Sequence, residues 1–137
     1  MENWREIWRN GVAPSLSTAG LKALRKALAK NDPRLLQGET TSPPPENVEW
    51  PCAGGCPIAF AAWQGDGLLT VGDIELAFAK TCHAADELLG GPAAVGCFVN
   101  YWDESPRKQV VRELLAEVRL ELAKRRKHGH HNKGRNQ

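Results

Sequence analysis

Cys52 and Cys56 flank a three-residue turn that contains Gly54 and Gly55, and this spacing lets two thiolates swing toward one ion. Cys82, His83 and Cys97 follow at longer intervals. A tetrahedral zinc site or an iron–sulfur cluster takes four such donors, so Cys52, Cys56, Cys82 and Cys97 are the candidate metal set, with zinc or an iron–sulfur cluster as the cofactor they would hold. The pattern is loose, because structural zinc sites usually carry a tight pair on both sides. Cys82 and His83 point about 100° apart on a helix, so they do not serve one ion together. Cys82 and Cys97 also fall in apolar runs, where a free cysteine packs as a small hydrophobe. Outside this set no cofactor is expected.

The same pair carries a thiol-exchange reading. Cys56 precedes Pro57, which places its sulfur at a helix N-terminus, where partial positive charge lowers a thiol pKa. Cys52 would be the resolving partner. No strand–helix–strand pattern surrounds the pair, as a thioredoxin-like scaffold requires.

The other chemistry is electrostatic. Lys124, Arg125, Arg126, Lys127, Lys133 and Arg135 make the C-terminus a cationic arm that would neutralise phosphates and release counterions. The arm has no aromatic residue to stack on bases, so its binding would follow the backbone and ignore sequence. The plain alternative is a solubilising tail. The formal net charge of +2 hides this asymmetry: residues 1–117 carry 11 Lys and Arg against 15 Asp and Glu, and residues 118–137 carry 7 against 1. An acidic body argues against a basic face away from the tail.

Ordinary enzyme motifs are missing from the sequence. There is no Gly-x-Ser-x-Gly elbow, no His-Glu-x-x-His and no nucleotide-binding loop, and His83 is the one histidine before the tail. Trp4, Trp8, Trp50, Trp63 and Trp102 are interface or core anchors. The expected role is therefore non-catalytic: a small intracellular interaction or adaptor protein that meets a protein partner or itself. The alternatives are an accessory nucleic-acid-binding protein that works through the tail and a metal or thiol protein that works through Cys52 and Cys56.

These residues need elements to position them. Thr70 to Gly91 is the clearest helix. Thr70 is the N-cap, and Val71, Ile74, Phe78, Cys82, Ala85 and Leu89 form one apolar face. Gly90, Gly91 and Pro92 stop it. Glu75, Lys80, Asp86 and Glu87 fall off the stripe and are assigned to water. Glu2–Asn10 reads as a short helix ended by Gly11, with residues 12–14 as a connector. Ser17 caps a helix over Thr18–Lys30, and a further short turn spans Pro33–Gln37. Residues 39–55 are Pro-rich and read as an extended, mobile surface loop pinned at its far end by Trp50. Pro57–Gln64 is a short buried helix with proline at its first position, and Gly65–Gly67 is a turn.

Residues 92–103 fit strand and helix alike, and Pro92 with its helical neighbours favours helix. There Gly96 would admit a close neighbour. Ser105 and Pro106 open the last helix, whose stripe is Val110, Val111, Leu114, Leu115, Val118 and Leu122. Glu113, Glu117 and Glu121 are assigned to its water side.

With 137 residues the chain can bury one core. Hydrophobic content of 42% and charged content of 25% place it among ordinary globular chains. No apolar run approaches the roughly 20 residues of a membrane span, so no membrane association is expected. The polar, acid-bearing N-terminus does not resemble an export signal, and a cytoplasmic location with reduced cysteines is expected. The fold expected is all-α: a compact bundle of about five helices over residues 1–123, with the 39–55 loop inside it and a disordered basic tail at 124–137.

Overall fold

The computed structural model describes residues 3–136, with side chains as far as His128. Six helices and one minute sheet make up these residues. Helix α1 runs without a break through Asn3–Ile7, a π turn at Trp8–Val12, and Ala13–Ser15. Helix α2 is Thr18–Lys30. Strands β1 (Thr41–Ser42) and β2 (Gly54–Gly55) pair antiparallel, with Thr41 opposite Gly55. Helix α3 joins Pro57–Phe60 to a π turn at Ala61–Gly65, α4 is Val71–Leu89, and α5 joins a π turn at Ala94–Val99 to Asn100–Glu104. Helix α6 spans Arg107–Asn136. The bundle, including a helix over 94–104, matches the expected all-α architecture, and no described helix is long and apolar enough to cross a membrane.

The π turns have a sequence cause. Trp4, Trp8, Val12 and Leu16 recur every four residues, and all four are buried. Ala94, Phe98 and Trp102 do the same in α5. At 3.6 residues per turn, a four-residue repeat slips about 40° around the helix at each step. A π turn absorbs that slip and holds the large side chains on one face. The two faces then meet: Trp4 stacks on Tyr101 with ring centroids 4.8 Å apart, and Trp8 lies 5.1 Å from Phe98. Burying each such ring is worth roughly 2–3 kcal/mol in transfer free energy. Gly11 therefore does not end α1. It sits inside the π turn, where a Cβ would fall 2.6 Å from Leu89 Cδ1, and residues 12–14, assigned to a connector, are helical.

The caps are largely as expected. Ser17 Oγ accepts from Gly20 N at 2.8 Å, Thr70 Oγ1 accepts from Asp73 N at 3.3 Å, and Gly90 closes α4 with φ of 79°. Ser105 is different. Its hydroxyl donates back to Tyr101 O, and α6 begins at Arg107. Gly96 is exposed with open space around it, so it admits no close neighbour. The close approach occurs elsewhere: a Cβ on Gly65 would lie 2.4 Å from Gly20 Cα, so α3 and α2 touch backbone to backbone.

The Pro-rich segment is tied along its length. Ala53 N donates to Ser42 O, Cys52 N to Leu69 O, Val71 N to Trp50 O and Gly72 N to Val48 O. The expected anchor, the Trp50 side chain, is 61% exposed, and the backbone holds this end instead. The turn expected over Pro33–Gln37 is present at Pro33 and Arg34, after which Leu35 bridges to Gly55. Arg107 fastens it by donating to Asp32 O and Leu35 O, while Trp102 Nε1 donates to Leu36 O.

Several carboxylates assigned to water are structural. Glu75 accepts from Thr41 Oγ1 at 2.6 Å. Asp86 accepts from Ala93 N and Ala94 N, capping α5 with a side chain of the preceding helix. Glu117 is 4% exposed and takes a bidentate pair from Arg9, with both bonds at 2.8 Å. Glu113 accepts from Tyr101 Oη and meets Arg5 at 3.7 Å. Glu121 accepts from Arg125 Nε at 2.9 Å. Spaced by four, Glu113, Glu117 and Glu121 form one row on α6, and two of the three fasten α1 to it.

Candidate nucleic-acid interface

Helix α2 has no acidic residue and four cations: Lys22, Arg25, Lys26 and Lys30. Leu21, Leu24, Ala27 and Leu28 take the buried side. The 3.6-residue period therefore sends the cations outward in two lines. Lys22 and Arg25 line a cleft of about 350 Å³ against α6, with Thr18, Leu122, Arg125 and Arg126 as its other walls. Lys26 and Lys30 line a second cleft of about 280 Å³ on the opposite flank, facing Asp32, Arg34, Phe60 and Gln64.

No carboxylate lines the first cleft. Arg125 forms its floor and is fully engaged, donating to Glu121 Oε2, to Thr18 Oγ1 at 3.1 Å and to Ala13 O at 2.8 Å. Those bonds seat the start of the basic C-terminal segment on the body. Among the described residues Lys22, Arg25 and Arg126 have no hydrogen-bond or ion-pair partner. The acids around the face are already occupied. Glu121 serves Arg125, Asp66 accepts from Ser17 Oγ, and Asp32 is chelated by Arg34 at 2.8 and 3.1 Å. The Arg34 hydrogen bonds hold the Asp32 carboxyl below its ordinary range, so it stays ionised beside Lys30. Arg34 also lies over the Trp63 ring at 5.2 Å and the Phe60 ring at 5.9 Å, which covers the aromatic surface of the second cleft.

Of the predicted tail residues, Lys124, Arg126 and Lys127 are exposed on helical backbone, and Arg125 is half-buried. The tail assigned from residue 124 is thus helix at 124–128, continuous with α6. Lys133 and Arg135, and the expectation of disorder at 129–137, fall outside the residues whose side chains are described. The basic face on α2 runs against the expectation drawn from the overall acidity of residues 1–117. Its signal was present as four cations within nine residues, with no acid between them.

The cysteines are arranged otherwise. Cys56 is fully buried at the start of α3, and burial pushes its thiol up to about 12, overriding the helix N-terminus beside it. Burial also raises Cys82 to about 11 and raises Cys52, whose Sγ donates to Gly54 O at 3.2 Å. Cys97 is half-buried in the π turn of α5. All four are free thiols, and among the described residues no three of His, Cys, Asp and Glu are placed to share a metal ion. His83 is exposed, 3.7 Å from Glu87 one turn on.

No family model, curated protein or solved structure matches this chain.

Proposed function

We propose that the chain binds nucleic acid through its phosphate backbone, using the α2–α6 face and the basic segment that continues from it. One observation carries this reading. A cleft between two packed helices holds Lys22, Arg25 and Arg126 without a carboxylate in its walls and, among the described residues, without a partner for any of the three. Evolved surfaces normally intersperse charges of both signs, and a one-sign cleft repels itself unless an anion enters. Such a ligand is polymeric, because the cations continue along α2 and past residue 124.

Fluorescence anisotropy with a random-sequence oligonucleotide, titrated across salt concentrations, tests the proposal. Binding should weaken steeply with salt. Lys22→Glu together with Arg126→Glu should lower affinity at least tenfold and reduce the salt slope by about two. Removal of residues 129–137 measures what the rest of the tail adds. Absence of binding to DNA and RNA at low salt would overturn the reading.

A second reading, an interaction module, has its own observation. Among the described residues Val48, Trp50, Leu69 and Leu76 are four of the seven large exposed hydrophobic side chains, and they lie on or one turn beyond segments hydrogen-bonded together at the start of α4. Clustered exposed apolar surface marks protein contacts. Under this reading the chain self-associates, and Trp50→Ala with Leu69→Glu returns it to a monomer in sedimentation velocity. A wild-type chain that stays monomeric at high concentration removes self-association.

A further inference from the structure

The cations on the two flanks of α2 decide which kind of nucleic acid fits. We infer that the ligand is duplex DNA, with α2 entering the major groove and the cations on its two sides meeting phosphates of opposite strands. This rests on the nucleic-acid reading above and deepens it.

Three observations favour a duplex over a single strand. The cations lie on both banks of the helix. On one side Lys22 and Arg25 face Arg126 across a cleft, and on the other Lys26 and Lys30 face Arg34 across a second cleft. The footprint is thus wider than the helix, with cations on both sides and the Asp32–Arg34 pair in the wall of the second cleft. A single strand needs one line of cations, whereas two strands across a groove need two. The face also lacks a stacking platform, which single-strand binders use in nearly every case. Phe60 is buried, Trp63 is covered by Arg34, and the exposed Trp50 lines neither cleft. Finally, the outward surface beside the lysines is small. Ala19 and Ala29 are exposed there, so no bulky group keeps the helix from a groove floor.

The dimensions agree. An α-helix with its side chains is about 10–12 Å across, and the B-form major groove is about 12 Å wide. A-form RNA closes that groove to side chains, so duplex RNA is the weaker partner. The alanines offer little to read base edges with, and recognition is by shape and charge, indifferent to sequence.

The test uses the full chain and four probes of equal length: duplex DNA, duplex RNA, and single strands of each. Duplex DNA should bind at least tenfold more tightly than any other. Two variants then separate the banks, Lys22→Gln with Arg126→Gln and Lys26→Gln with Lys30→Gln. Each should weaken duplex DNA several-fold and lower its salt slope by about two, with an unchanged melting temperature. Equal or tighter binding of a single strand or of duplex RNA overturns the inference and leaves backbone binding standing. So does a duplex affinity that responds to one bank alone. Failure of all four probes removes the parent reading as well.

Discussion

Helix α6 has two sides that spend charge in opposite ways. Toward α1, the carboxylates at 113 and 117 meet Arg5 and Arg9, and Glu117 is enclosed by its pair. Toward α2, Arg126 joins Lys22 and Arg25 in a cleft with no carboxylate in its walls, and Glu121 touches only the Arg125 floor. Charge on the first side is consumed by the fold, and charge on the second is left for something else. Net charge cannot show this, since the paired side sums to zero by itself and acids elsewhere in the chain offset the unpaired cations. A paired charge in a buried seam contributes geometry, whereas an unpaired one on a rim contributes attraction for a partner.

Substitutions can break this comparison, and the largest effect belongs to the paired side. Glu117→Ala should cost roughly 2–3 kcal/mol, through lost charge-assisted hydrogen bonds and a vacated buried volume. Chemical denaturation at low and high salt checks it, and the loss should persist at high salt because the carboxylate is shielded from solvent. The Lys22→Glu and Arg126→Glu reversals proposed to weaken nucleic-acid binding should leave the same denaturation curve where it is. Arg125 stands on the boundary between the two sides. Arg125→Ala should cost about 1 kcal/mol and also weaken nucleic-acid binding, since it frees the base of the tail from Ala13 and Thr18. A variant that lost binding without stability would place Arg125 wholly on the unpaired side.

A smaller effect concerns the interior between the two sides. Cys56 and Cys82 keep their protons up to about 12 and about 11 in the fold, above the ordinary value of 9.0. Between these limits the folded chain binds more protons than the unfolded one. The stabilisation is complete below about pH 9 and is lost as pH rises toward the folded values. Melting temperatures followed by circular dichroism should fall from pH 9 to pH 11, and Cys56→Ala should flatten that slope. A reactive low-pKa thiol at Cys56 would instead alkylate rapidly at neutral pH.

Much of the bundle is legible in the sequence because its signals are local. Ser17, Thr70 and Gly90 act through bonds to residues within one turn, and the apolar stripes of α4 and α6 follow a single period. What escaped depends on partners far along the chain. Glu117 looks solvent-facing on α6 taken alone, and Arg9, 108 residues away, makes it interior. Asp86 is read as a surface acid until α5 turns back onto it. The π turns were hidden for a different reason. Their four-residue repeat reads as a slightly poor α-helix, and Gly11 reads as a stop unless Trp8 and Val12 are known to share a face. The basic face was half legible. Its cations can be counted on α2, but their isolation from the acids depends on where Arg34, Arg125 and Ser17 place those acids.

The crossing of Gly20 and Gly65 has a consequence for how this surface can change. Where α2 meets α3, Gly65 rests main chain on main chain against Gly20, with the Ala61 methyl as the neighbouring side chain. The height of α2 is thereby decoupled from the identity of its outward residues. Lysines and alanines on that side can be exchanged, singly or together, without lifting the helix from its seat. The mounting is fixed and the lettering on it is free. The outward surface of α2 is open to change by substitution alone, with the two glycines as the positions that must stay.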